Sequence, residues 1–90
     1  MIGSEKQIKR AEEIGANLIT TYRAVMPLLP ESERPAMEQA IVKLESIDRA
    51  GVIIEAYKGI CFCGDPMKDI SKIMACHRNM TPEELALFMP

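Results

Sequence analysis

Ninety residues, of which 48% are hydrophobic and 27% charged, describe one globular domain over residues 1–90 and exclude a disordered chain. The 11 basic and 13 acidic residues give a formal net charge of −2, which offers no electrostatic reason to expect binding to nucleic acid or to an anionic membrane. No apolar run approaches the roughly 20 residues of a membrane-spanning helix, and the amino terminus lacks a secretory signal pattern, so we expect a cytoplasmic protein.

The first predicted element is a long helix over Ser4–Leu29. Ser4 and Gln7 have the spacing of a capping box, in which each side chain accepts a hydrogen bond from the other residue's backbone N–H. Apolar or small residues then recur with a seven-residue repeat at Ile8, Ala11, Gly15, Leu18, Tyr22, Val25 and Leu29. This repeat predicts a helix face that packs within the chain, in preference to a coiled coil between chains.

A second long helix is predicted over Glu33–Lys58. Ser32 is a good N-cap residue, and Pro35 lies in the first turn, where its missing N–H costs nothing. Gly59 after Lys58 is typical of a helix stop in which glycine adopts the left-handed conformation. The alternative is an α+β fold with a small β-hairpin at 52–63, because β-branched and aromatic residues are frequent there.

The short connection between these helices predicts an antiparallel helical hairpin. Gly15 would then lie near Ile47, and Gly51 near Ala11, so that the two backbones could approach closely. At 1.5 Å per residue each arm would be about 39 Å long, whereas a compact chain of this length has a radius of gyration of about 12 Å. Either the hairpin kinks at its glycines or it is elongated, and an elongated hairpin would pair with a second copy or with another protein.

Two shorter helices are predicted to follow the hairpin. Asp65 is an N-cap for a helix over Pro66–Arg78, and Thr81 with Glu84 forms a second capping box that opens a helix over Pro82–Met89. The predicted fold class is therefore all-α, with two long helices and two shorter carboxyl-terminal helices.

The residues with the clearest chemical content are Cys61, Cys63, Cys76 and His77. Three thiols and one imidazole form the Cys3His set that holds structural zinc, and a metal would stabilise a domain with so small a core. The spacing is unusual, since one residue separates the first two cysteines and Cys76 and His77 are adjacent on a helix. The alternative is that the thiols are buried and inert, with no cofactor bound.

No enzymatic site is predicted. Adjacent helical residues do not face each other, so Cys76 and His77 cannot form a nucleophile and base pair. Cys63 is better placed, at the amino end of a helix, but no oxyanion hole or orienting group accompanies it. The sequence also lacks a phosphate-binding glycine loop and a pair of carboxylates in an apolar setting.

Flexible apolar residues are frequent in the last quarter of the chain, namely Met67, Met74, Met80, Phe88 and Met89. Methionine is common on surfaces that adapt to partners, although it also fills cores. These residues predict a docking face on a protein-interaction module that acts as an adaptor, regulator or inhibitor, such as a phage or plasmid inhibitor of a host enzyme or defence complex. The alternative function is a zinc-stabilised nucleic-acid-binding or transcription regulator, which would require both the zinc site and a continuous basic face.

Overall fold

The chain folds into five α-helices in the computed structural model, which describes residues 1–90. In chain order they are α1 (Glu5–Val25), α2 (Arg34–Ser46), α3 (Ala50–Ala56), α4 (Pro66–Arg78) and α5 (Pro82–Leu85). Two 3-10 turns, Met26–Leu28 and Glu31–Glu33, connect α1 to α2. The all-α prediction is confirmed, and the alternative hairpin at 52–63 is not formed.

Helix α1 is the central element, and α3 and α4 both pack against it. The predicted capping box opens it, because the Gln7 N–H donates to Ser4 Oγ at 3.2 Å and the Ser4 N–H donates to Gln7 Oε1 at 3.0 Å. Its buried face consists of Ala11, Ile14, Leu18, Thr21, Tyr22 and Val25. The prediction that the seven-residue repeat packs within the chain is therefore confirmed for this face.

The second long helix does not extend over Glu33–Lys58 as predicted. It begins at Arg34 without a side-chain cap, since Ser32 lies in the preceding 3-10 turn, and it ends at Ser46. The backbone is extended at Ile47 and Arg49 before α3 begins. The amino-terminal residue Ile2 pairs with this interruption: its N–H donates to the Asp48 carbonyl, and its carbonyl accepts the Ala50 N–H at 2.9 Å. These bonds satisfy backbone groups that the broken helix leaves free.

The interruption also determines the shape of the molecule. Because Ile2, just before α1, meets the chain just after α2, the two helices are antiparallel, as predicted. The chain then turns, so that α3 packs beside α1, and the result measures 39 × 27 × 21 Å with a radius of gyration of 12.6 Å. An elongated hairpin is therefore not formed. The chain bends at residues 47–49 and not at a glycine, because Gly15 lies within α1 and Gly51 lies within α3.

The predicted close approach of the two arms at the helical glycines is wrong. A Cβ atom built on Gly15 or on Gly51 would meet no atom within 4 Å. Gly59, in contrast, has the predicted left-handed conformation, with φ of 79°, and ends the turn that follows α3.

The two carboxyl-terminal helices begin where they were predicted. The Met67 N–H donates to Asp65 Oδ1 at 3.0 Å at the start of α4, and Thr81 and Glu84 form the capping box of α5. Helix α5 ends at Leu85 and not at Met89, and Ala86–Phe88 continue as a turn. This turn brings Phe88 into the core, where its ring lies 5.1 Å from that of Tyr57 at an interplanar angle of 80°.

The hydrophobic core is one cluster of fifteen buried residues drawn from α1, α2, α3, α4 and the segments after α3 and α5. Its largest fully buried side chains are Tyr22, Tyr57, Ile14, Leu18, Ile41 and Ile73. None of the helices has the length and apolar character needed to cross a membrane.

Candidate functional site

An apolar groove of about 440 Å³ opens between the α1–α2 connection and α4. Nine of its ten lining residues are hydrophobic, and the tenth is Glu33. The lining consists of Val25, Leu28, Leu29, Glu33, Ala36, Met37, Met67, Ile70, Met74 and Met89. Water in such a groove finds few hydrogen-bonding partners, so an apolar occupant would displace it favourably.

Local sequence signals explain how three segments reach the groove. Helix α1 ends at Val25 because Pro27 and Pro30 follow it, and the connection between these prolines carries Leu28 and Leu29. Helix α4 contributes residues spaced three and four positions apart, which lie on one helical face. Leu28 is 70% exposed and Met67 is 59% exposed, and both line the groove, so part of the apolar lining remains in contact with water.

The structure brings together three of the five residues predicted to bind a partner. Met67, Met74 and Met89 all line the groove. Met80 does not line it and packs, partly buried, against the core, and Phe88 is only 2% exposed. The prediction that the methionines form one surface therefore applies to three of them, and core filling accounts for the other two residues.

The other half of the groove was not predicted from the sequence. Val25, Leu28, Leu29, Ala36 and Met37 come from α1, the connection and α2. The available signal was the pair Leu28-Leu29 in a short connection between two prolines, where polar residues are usual.

The predicted zinc ligands occupy different environments. Cys61 and Cys63 are exposed in the loop before α4, Cys76 is partly buried, and His77 is buried. Nowhere in the chain do three or more His, Cys, Asp or Glu side chains lie where they could hold a metal ion. The Cys3His set is thus not assembled in this structure, and metal analysis decides between the two expectations, one structural zinc or no cofactor.

One of the four predicted ligands, Cys63, belongs to a loop that Asp69 organises. Asp69 Oδ1 accepts the Cys63 N–H at 3.0 Å and the thiol of the same residue at 3.3 Å, and Oδ2 accepts the Gly64 N–H at 3.0 Å. Lys72 lies 3.8 Å from this carboxylate and donates to the Cys61 carbonyl at 2.7 Å. The backbone N–H of Cys63 contributes most to holding the pKa of Asp69 below its usual value, against the opposing effect of burial. These contacts fix the loop shape and leave the Cys63 thiol facing a carboxylate.

His77 is held by a second buried contact, in which its Nε2 lies 2.8 Å from the Tyr57 hydroxyl. Burial lowers the pKa of His77 and raises the pKa of Tyr57 well above its usual value. Burial likewise raises the pKa of Tyr22, next to Tyr57, to about 12. The three groups are therefore neutral at pH 7 and contribute to the core.

Comparison of the chain with protein-family models, with curated proteins and with solved structures found no significant match.

Proposed function

We propose that this chain is a small, non-enzymatic protein-interaction module of the cytoplasm, and that it binds an amphipathic helix of a partner protein in the apolar groove. Such a module would serve as an adaptor, regulator or inhibitor. The observation that carries the proposal is a groove of about 440 Å³ in which nine of ten lining residues are hydrophobic. A concave site lined mainly by apolar side chains with one charged group is typical of a binding site.

The composition of the groove favours a helix as its occupant. Four of the lining residues are methionines, Met37, Met67, Met74 and Met89, whose unbranched side chains adjust to the shape of an apolar ligand. Helices bind in grooves of this kind through apolar side chains at positions i, i+3 or i+4, and i+7. The groove volume of about 440 Å³ lies within the range of about 300–1,000 Å³ that is typical of ligand pockets, so the groove can hold a few such side chains.

The charge of the groove constrains the partner further. Glu33 is the one charged lining residue, and the ion pairs of the chain, Arg10 with Glu13 and Lys72 with Asp69, do not include it. A carboxylate beside an apolar surface attracts a cation more strongly than it would in open water. The partner helix should therefore carry a lysine or arginine next to its apolar residues.

The proposal can be tested with a displayed library of amphipathic helical peptides, each with randomised apolar positions and one lysine or glutamate. We expect the chain to select lysine-containing peptides. Met67→Glu and Leu28→Glu should weaken their binding by at least about tenfold, because a charge then occupies the apolar lining. Val42→Glu is the matched control, since Val42 is 56% exposed and lies outside the groove.

A charge exchange tests the role of Glu33. Glu33→Lys should reject the selected peptides and bind versions in which lysine is replaced by glutamate. Equal binding of the peptides by the native chain, Met67→Glu and Leu28→Glu would place the contact elsewhere and overturn the proposal. Light scattering that shows a dimer of the native chain and a monomer of Met67→Glu would identify a second copy as the occupant, which would also overturn it.

A further inference from the structure

A second hollow, of about 350 Å³, lies beside the same α1–α2 connection and has the opposite character. It is lined by Arg23, Met26, Pro27 and Arg34. Arg23 belongs to the last turn of α1, and Arg34 is the first residue of α2. Two cationic side chains from different helices therefore line one hollow in which no acidic residue takes part.

Neither arginine has a carboxylate partner. The ion pairs of the chain join Arg10 to Glu13 and Lys72 to Asp69. The chain has 13 acidic residues and a net charge of −2, so the lack of a partner for these two arginines is not due to a shortage of carboxylates. Two guanidinium groups that share a hollow repel each other, and an anion bound between them would offset that repulsion by attracting both.

Arg34 provides an independent observation. Its Nε is buried and has no hydrogen-bond acceptor, and it is the one buried side-chain nitrogen or oxygen of the chain in that condition. A buried donor without an acceptor is costly, and more so when it carries charge, so native structures seldom contain one without a reason. The packing of the protein does not supply that reason for Arg34.

We propose that Arg23 and Arg34 form a binding site for a phosphate monoester group. The planar guanidinium of arginine donates two parallel hydrogen bonds to phosphate oxygens, and two such groups match the charge of about −1.5 to −2 that a monoester carries near pH 7. The amino end of α2, a helix of thirteen residues, begins at Arg34 and adds a favourable field for an anion. Met26 and Pro27 complete the lining of the hollow, and the nearest carboxylate along the chain, that of Glu33 before α2, lines the apolar groove instead.

The site does not depend on the apolar groove, since the two sets of lining residues share no member. The phosphate could belong to a phosphorylated peptide or to a nucleotide, which present the same chemical group. The remainder of the molecule that carries the phosphate distinguishes the two sources.

The test is a titration of the 15N-labelled chain with sodium phosphate at pH 7, against sodium chloride at matched ionic strength, with the arginine Nε–H signals as the readout. We expect saturable shifts for Arg23 and Arg34 and none for Arg49. Arg23→Gln and Arg34→Gln should each weaken binding by at least about tenfold, because each removes a charged hydrogen-bonding group. Arg49→Gln, which alters an exposed arginine outside the hollow, should bind as the native chain does.

A second measurement separates binding from structural damage. Phosphate should raise the melting temperature of the native chain and leave that of Arg23→Gln unchanged, whereas a purely structural role for the arginines would leave the native chain unaffected too. A phosphoserine peptide that binds more tightly than inorganic phosphate would identify a protein source, and tighter binding by a nucleoside monophosphate would identify a nucleotide. Equal shifts for all five arginines, or acetate binding as tightly as phosphate, would overturn the proposal.

Discussion

The hydroxyl of Tyr57 and Nε2 of His77 lie 2.8 Å apart in the interior and join the end of α3 to the last turn of α4. The two rings meet edge to face, with centroids 5.7 Å apart. When the imidazole proton is on Nδ1, the tyrosine hydroxyl donates to Nε2, and both polar groups are satisfied without water. This contact connects the helices on either side of the cysteine-containing loop.

The first prediction concerns pH. Burial lowers the pKa of His77 below its ordinary value of 6.5. As the pH falls, the imidazole therefore takes up its proton at a higher pH in the unfolded chain than in the folded chain. The free energy of unfolding should be highest above pH 6.5, decrease as the pH falls from 6.5 to the folded-state pKa, and then level off. Urea unfolding between pH 8 and pH 5 measures it. His77 is the only histidine, so His77→Gln should lose this dependence, and an unchanged slope in the variant would contradict the assignment.

The second prediction concerns the hydroxyl of Tyr57. Tyr57→Phe leaves Nε2 of His77 buried without a partner and should lower the free energy of unfolding by about 1–3 kcal/mol. Combining it with His77→Phe in a double-mutant cycle isolates the contact, because the double variant no longer contains an unpaired group. Strict additivity of the two single changes would show that the hydrogen bond contributes nothing.

The third prediction concerns the glycines inside helices. Gly15→Ala and Gly51→Ala should each raise the free energy of unfolding by about 0.5–1 kcal/mol, since alanine favours the helix and the added methyl group meets no atom. Gly59→Ala and Gly64→Ala are the controls, because φ values of 79° and 88° disfavour any side chain there. A loss of stability in Gly15→Ala would restore the close-approach interpretation.

The fourth prediction concerns Asp69. Asp69→Asn should lower the melting temperature and speed alkylation of Cys63 by iodoacetamide, since an amide cannot accept all three hydrogen bonds that shape the loop. Because the folded pKa of Asp69 lies below 3.8, its contribution is complete above pH 3.8 and is lost as the pH falls through the folded value. Asp48→Asn, at an exposed aspartate, should change neither measurement.

The fifth prediction concerns metal. Treatment with EDTA should leave the helical circular dichroism and the melting temperature unchanged, because Nε2 of His77 already contacts Tyr57 and the Cys63 thiol already contacts Asp69. Metal analysis of protein purified without chelator completes the experiment. About one equivalent of zinc, with unfolding on its removal, would establish the Cys3His hypothesis in place of these contacts.

Part of the fold could be predicted because its signals act over a few residues. The capping boxes of Ser4 with Gln7 and of Thr81 with Glu84, the N-cap at Asp65 and the left-handed conformation of Gly59 all form as predicted, although α3 ends at Ala56 and not at Lys58. Each depends on side chains and backbone groups within one helical turn, whose geometry the residue types determine. Met67 and Met74 share one face of α4, as their spacing predicts, whereas no local signal separates Met89, which lines the groove, from Met80 and Phe88, which do not.

The remaining features depend on contacts between residues far apart in the chain. Nothing in the helical pattern across Ser46–Ala50 indicates that Ile2 will pair with the backbone there and divide one predicted helix into two. The turn that follows places α3 and α4 on α1 and leaves Leu28 and Leu29 beside the methionines, so the groove exists only once distant segments have packed. Arg23 and Arg34 are closer in the chain, on either side of the α1–α2 connection, but only the way in which that connection turns places both at one hollow.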